Sequence, residues 1–137
     1  MRILLDTNVV LDFALRRQPF FEDAVKVINF AGELHAHLFI TASTVTDVYY
    51  LLSKEGDEQK SRSFLTHFLS IVDVCPVNKS IVLQAIASKF KDVEDAVQHF
   101  AAEAFSGQTI VTRNKSDFSA STLEVLDPKE FCEKYLQ

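Results

Sequence analysis

Arg2-Ile3-Leu4-Leu5-Asp6-Thr7-Asn8, followed at once by Val9-Val10-Leu11-Asp12-Phe13-Ala14, decides how this chain is read. An apolar run of strand length ends in a carboxylate and gives way to apolar residues at helical spacing. That pattern predicts a buried strand feeding a helix, with the polar triplet Asp6-Thr7-Asn8 at the turn. In open α/β sheets, ligands and catalytic groups collect at the carboxyl ends of strands. Asp6 is therefore the first candidate ligand of an acidic metal site, and other parts of the chain must supply the rest.

Outward from that stretch, short apolar runs alternate with amphipathic ones. The first helix is expected over about residues 8 to 16, ahead of Pro19, which disfavours helical geometry in Gln18. A second carries Phe21, Ala24, Val25 and Ile28 and ends at Gly32. His37-Leu38-Phe39-Ile40-Thr41 predicts a strand, Ser43 an N-cap, and Val45, Val48, Tyr49 and Leu52 the apolar face of the helix behind it. A helix containing Phe64, Leu65, Phe68 and Leu69 leads to a strand at Val72-Asp73-Val74-Cys75. Asn78 caps a helix with Ile81, Val82, Ala85 and Ile86, and Asp92-Val93-Glu94-Asp95 opens another. Thr109-Ile110-Val111-Thr112 is the fourth strand, residues 113 to 121 a polar loop, and Leu123 to Leu126 the fifth strand. Asp127-Pro128-Lys129-Glu130 starts the last helix, with Pro at N1 and an acid at N3. Strands alternating with amphipathic helices imply an α/β fold, a parallel sheet covered on both faces.

The chain's 137 residues suffice for one domain with a substantial core. Cys75 and Cys132 lie far apart in apolar surroundings, as reduced thiols of a cytoplasmic protein do. No run approaches the roughly 18 apolar residues of a membrane span, and the acid after three apolar residues breaks any signal-peptide layout. With 14 Lys and Arg against 19 Asp and Glu, the net charge of −5 disfavours nucleic-acid binding through a basic face. Bound divalent cations would invert the field locally, so the placement of the acids decides the matter.

Four acids stand where the loops of such a fold meet. Asp6 ends strand one, Asp47 lies early in the helix after strand two, and Asp117 lies in the loop after strand four, all at one edge of a parallel sheet. Asp95 opens the helix that runs towards strand four, and it joins them only if the preceding connection carries the chain over. Carboxylates about 4 Å apart repel by roughly 4 kcal/mol at an effective dielectric near 20. Such a cluster needs protons or a divalent ion, and all-oxygen ligation selects Mg²⁺ or Mn²⁺ over zinc.

Asp6-Thr7-Asn8-Val9-Val10-Leu11-Asp12 resembles the opening motif of PIN-domain proteins, and Thr44-Val45-Thr46-Asp47-Val48 is similar to their second acidic motif. Asp92-Val93-Glu94-Asp95-Ala96 resembles the third and Thr112-Arg113-Asn114-Lys115-Ser116-Asp117-Phe118 the fourth, so the likeness covers nearly the whole chain. It implies a single PIN-like domain over residues 1–137, a three-layer α/β/α sandwich with a five-stranded, mainly parallel sheet. It further implies an endoribonuclease dependent on Mg²⁺ or Mn²⁺, with Asp6, Asp47, Asp95 and Asp117 as catalytic metal ligands. Asn8, Thr112, Asn114 and Arg113 would then orient those ligands or contact substrate. Small free-standing members look like VapC-type toxins of type II toxin–antitoxin pairs. That implies an RNA substrate, a small antitoxin partner, a homodimer and no membrane.

Two positions depart from the family pattern. Asp47 stands where Glu is usual, and its shorter side chain is expected to meet a metal through water. Asn114 occupies the first acidic position of the fourth motif. Both departures favour one alternative, a catalytically weakened RNA-binding or protein-binding module on the same fold; an RNA-maturation nuclease is the other alternative. An aspartyl-phosphatase would need an acid where Asn8 stands, and no glycine precedes Gly32 to cradle a nucleotide phosphate.

The remaining polar residues have plainer readings beside functional ones. Asn8 either caps the first helix or orients Asp6. Asp92 caps its helix, Asp12 and Glu94 are expected to be solvated or else to support the ligands from behind, and His35 and His37 to be surface histidines. His99, one turn after Asp95, could support the site. Arg16, Arg17, Arg113 and Lys115 could flank the acidic edge and meet phosphates, or serve as ordinary helix-end and loop charges.

Overall fold

Successive side chains of a strand face opposite sides of its sheet, so a strand covered on both faces is apolar at every position. In the computed structural model, which describes residues 1–32 and 36–136, β1 (Arg2–Leu5) is such a strand from Ile3 onward. Ile3 and Leu5 pack into one core and Leu4 into another, and β2 (His37–Thr41) divides Leu38 and Ile40 from Phe39 in the same way. With β3 (Asp73–Cys75), β4 (Thr109–Val111) and β5 (Glu124–Leu126) they form one sheet in the order β3-β2-β1-β4-β5. Every pairing is parallel, with Leu4 opposite Phe39 on one side and Ile110 on the other.

The helices are α1 (Thr7–Ala14), α2 (Phe21–Asn29), α3 (Ala42–Glu55), α4 (Glu58–Phe68), α5 (Lys79–Ala87), α6 (Val93–Ala104) and α7 (Pro128–Tyr135). Side chains of α1 to α4 and α7, among them Val10, Ile28, Val48, Phe68 and Phe131, fill the core on the Ile3 face. Ile81 of α5 and Ala101 and Ala102 of α6 fill the core on the Leu4 face, with Phe118 beside them. The result is the expected three-layer α/β/α arrangement, and it sets Asp6 at the carboxyl end of the central strand.

Several element ends differ from expectation for local reasons. Helix α1 starts at Thr7 because Asp6, not Asn8, is its N-cap, and it stops at Ala14 because Arg16 takes a left-handed φ of 51°. Helix α3 starts directly after β2, with Thr41 rather than Ser43 as its N-cap. Asn78 and Asp92 cap α5 and α6, and Asp127 with Glu130 forms a full capping box on α7. On α5 only Ile81 and Ala85 are buried. Val82 and Ile86, a further 100° round the helix, stay 37% and 62% exposed. The polar loop after β4 holds a 3-10 turn, Lys115–Phe118, anchored by buried Phe118.

Helix α6 resolves the open placement of Asp95. Gln98 in its second turn reaches Asp6 at the carboxyl edge, whereas Gln108 beyond its end bonds the Arg2 carbonyl at the amino edge. The connection before α6 thus carries the chain over. Close packing at the far end requires Gly107, where a Cβ would lie 2.8 Å from the Ala102 carbonyl and 3.0 Å from the Phe39 ring. His37 sits at that amino edge, bonded to Arg2 and Asp73 and remote from Asp6; His35 lies outside the described residues.

Candidate active site

A carboxylate forced into a sheet edge needs donors, and Asp6, only 6% exposed, has four. Its Oδ1 accepts from the Thr7 amide at 2.7 Å and Gln98 Nε2 at 2.9 Å. Its Oδ2 accepts from Thr112 Oγ1 at 2.7 Å and Asn8 Nδ2 at 3.2 Å. Central-strand geometry supplies the set: Thr7 and Asn8 follow β1, Thr112 follows the neighbouring β4, and Gln98 comes from the helix above. Asn8 faces both ways, since its Oδ1 accepts from the Arg113 amide at 3.2 Å. It is therefore an orienter of Asp6 and not a cap.

Asp6 forms the floor of an open cleft of about 290 Å³ lined also by Asn8, Asp47, Asp92, Glu94, Asp95, Gln98 and Asn114. No Lys, Arg or His is among its described lining residues, so negative charge accumulates without an internal counter-ion. Partial burial, then the charges of Asp6, Asp92, Asp117 and Glu94, push the Asp95 carboxyl up to about 7. Glu94 is raised in the same direction, first by desolvation of its carboxyl end and then by Asp47 beside it, although the residue as a whole is exposed.

The structure brings Asp6, Asp47 and Asp95 to one cleft, together with Asn8 and Asn114. Asp117 is exposed on the 3-10 turn beside the cleft, close enough for its charge to raise the Asp95 carboxyl. Thr112 is fully buried against Asp6 and accepts from the Asn114 amide, so it supports Asp6 and does not face substrate. Arg113 is committed to a structural pair. Its guanidinium binds Asp12 at 2.6 and 3.2 Å and lies 4.0 Å over the Phe20 ring. Lys115 is paired with Glu130. His99 turns away from the acids and is buried with Phe90 and Phe100, with Ser121 Oγ 2.9 Å from its Nδ1.

Three participants have roles that local sequence does not single out. Asp12 is fully buried rather than solvated, because it stands one turn after Asn8 on the face that meets Arg113. Gln98 stands one turn after Asp95 and was hidden by its neutral side chain. Glu94 joins the acids, since the start of α6 presents successive residues around one rim.

An all-oxygen donor set of this charge suits a hard dication. The spacing is loose, for among the described residues no three His, Cys, Asp or Glu side chains gather closely enough to hold an ion by themselves. Mg²⁺ tolerates such spacing, because it keeps several waters and takes only one or two carboxylates directly. The residues present fit an ion bound partly through water.

Known proteins match this chain in sequence and in shape. A family model described as PIN domain matches residues 2–116. The chain is 30% identical over 139 residues to Ribonuclease VapC1 of Aquifex aeolicus (strain VF5), covering 98% of this chain and 95% of that protein. It shares its fold with VapBC-1 from nontypeable Haemophilus influenzae (TM-score 0.72, 18% identity, 94% of this chain and 99% of that one). A toxin–antitoxin complex from Klebsiella pneumoniae has the same fold (TM-score 0.71, 22% identity, 92% and 97%). So does VapBC2 from Rickettsia felis, solved bound to a DNA fragment from its promoter (TM-score 0.69, 17% identity, 93% and 98%). With its four acidic motifs spread over a five-stranded parallel sheet, the chain belongs to the PIN-domain family.

Proposed function

We propose that residues 1–137 act as a single PIN domain, an Mg²⁺- or Mn²⁺-dependent endoribonuclease that is the toxin of a type II toxin–antitoxin pair. The observation that carries this reading is the Asp6 carboxylate, held by four donors on the floor of an acid-lined cleft. A bound divalent ion would neutralise the phosphodiester and activate water for attack on phosphorus.

The side chains divide the remaining work. Asp6 and Asp95 would hold the ion, with Asp47 and Glu94 beside them available to assist. Asp117, coupled to Asp95 through its charge, would be a further ligand from the 3-10 turn. Thr7, Asn8, Gln98 and Thr112 keep the Asp6 carboxylate from turning, and Asn8 Nδ2, the longest of the four contacts, is the donor most readily given up to an incoming ligand. Asp95 sits near half-protonation at neutral pH without the ion and must release its proton when the cation arrives.

The names of the relatives support an antitoxin partner, and the exposed apolar residues Val82, Leu83 and Ile86 of α5 supply surface for protein contacts in an antitoxin complex or a homodimer. We place its action in the cytoplasm; no described helix is long and apolar enough to cross a membrane. Purified protein should cleave RNA with millimolar Mn²⁺ and stop when the ion is chelated. Tight RNA binding without cleavage under those conditions would favour the weakened-module alternative, for which Asp47 and Asn114 speak.

A further inference from the structure

Gln98 uses only the donor end of its side-chain amide. It is 2% exposed, and its Nε2 donates to Asp6 Oδ1 at 2.9 Å. Its Oε1 is buried with no partner, the single such side-chain atom among the described residues. Turning the amide over would set Oε1 against a carboxylate oxygen, so Asp6 fixes which end is left over. An orphaned buried acceptor is destabilising, and native proteins seldom retain one where an apolar side chain of equal size would fit. Gln98 also lines the acid cleft, one helical turn beyond Asp95. A donor that arrives with a ligand would complete it.

We propose that Gln98 is a positioning residue of the cleft: Nε2 fixes Asp6, and Oε1 receives a hydrogen bond from a water carried in by the hydrated divalent ion. The inference rests on the reading of the cleft as a metal site. It extends that reading to a neutral residue and explains how loosely spaced acids hold an ion by way of water. Groups that orient ligands around a metal typically change its affinity by about 10- to 100-fold when removed.

The test is Mn²⁺ titration of the parent and Gln98→Met, followed by the electron paramagnetic resonance signal of free Mn²⁺. Met fills a similar volume and removes both polar ends. We expect a dissociation constant at least about 10-fold higher for Gln98→Met, with the far-ultraviolet circular dichroism of the parent retained. Equal affinity in the two proteins overturns the role of Gln98 and leaves the cleft reading standing, whereas no Mn²⁺ binding by the parent overturns both. Should Gln98→Met not fold, the parent alone decides: Mg²⁺ should move the side-chain amide resonances of Gln98, and resonances unmoved at saturating Mg²⁺ overturn the proposal.

Discussion

Replacing Arg113 by Met tests whether the buried pair it forms with Asp12 holds the site together. Asp12 is fully buried on α1, and Arg113 follows β4, so the pair ties the helix carrying Asn8 to the strand end carrying Thr112. At 2.6 Å and an effective dielectric near 20, the attraction is roughly 6 kcal/mol before desolvation is subtracted. Leaving a buried carboxylate without its partner typically destabilises by about 3–5 kcal/mol. Arg17 remains 4.0 Å from Asp12 and softens the loss, so Arg113→Met should lose about 2–4 kcal/mol. For a chain of 137 residues that lowers the melting temperature by about 7–14 °C. Urea unfolding of Arg113→Met, Asp12→Asn and the double variant should give a coupling of at least about 1.5 kcal/mol. Additivity within about 0.5 kcal/mol, or a single variant as stable as the parent, would refute the reasoning.

Asp95 gives the metal-free protein a pH dependence of definite sign. A carboxyl raised to about 7 when folded, against 3.8 unfolded, penalises the charged form of the native state. Its contribution is therefore intact below about pH 4, is lost as pH climbs towards 7, and stays lost above. With partial solvent exposure discounted, the loss is about 2 kcal/mol. Urea midpoints between pH 4 and 8 should show the decline, and Asp95→Asn or saturating Mg²⁺ should remove most of it, leaving the smaller contribution of Glu94 in the variant. At the far end of the chain, Asp127→Ala deletes the capping box of α7 and should destabilise by about 1 kcal/mol in thermal unfolding, without altering Mn²⁺ affinity.

The sheet was legible in the sequence because its central strands are buried on both faces, so Leu4-Leu5 and Leu38-Phe39-Ile40 read as unbroken apolar runs. Caps made by acids and amides, at Asn78, Asp92 and Asp127, were legible for the same local reason. Asp6, Asp47 and Asp95 were legible as acids at strand and helix ends, with the family resemblance bringing Asp95 to the others. What escaped was long-range pairing. Nothing local distinguishes the buried Asp12 from a solvated helix acid, because its partner lies 101 residues away. Arg113 looked available for phosphate for the same reason. Gln98 carries no charge to draw notice, and only the fold places its amide on Asp6. His99 shared a helix with Asp95, but the ring packing of Phe90 and Phe100 turned it into the core.

The most direct test of the account is the single-turnover cleavage of one defined RNA by the parent and by Asp6→Asn, each with Mn²⁺ and with chelator. Loss of a group that acts on charge in the transition state typically slows a reaction by about 100-fold or more. A fall of at least that size is expected for Asp6→Asn in Mn²⁺, with no cleavage by either protein in chelator. Cleavage by Asp6→Asn at the parent's rate, or by the parent with the ion removed, would contradict it.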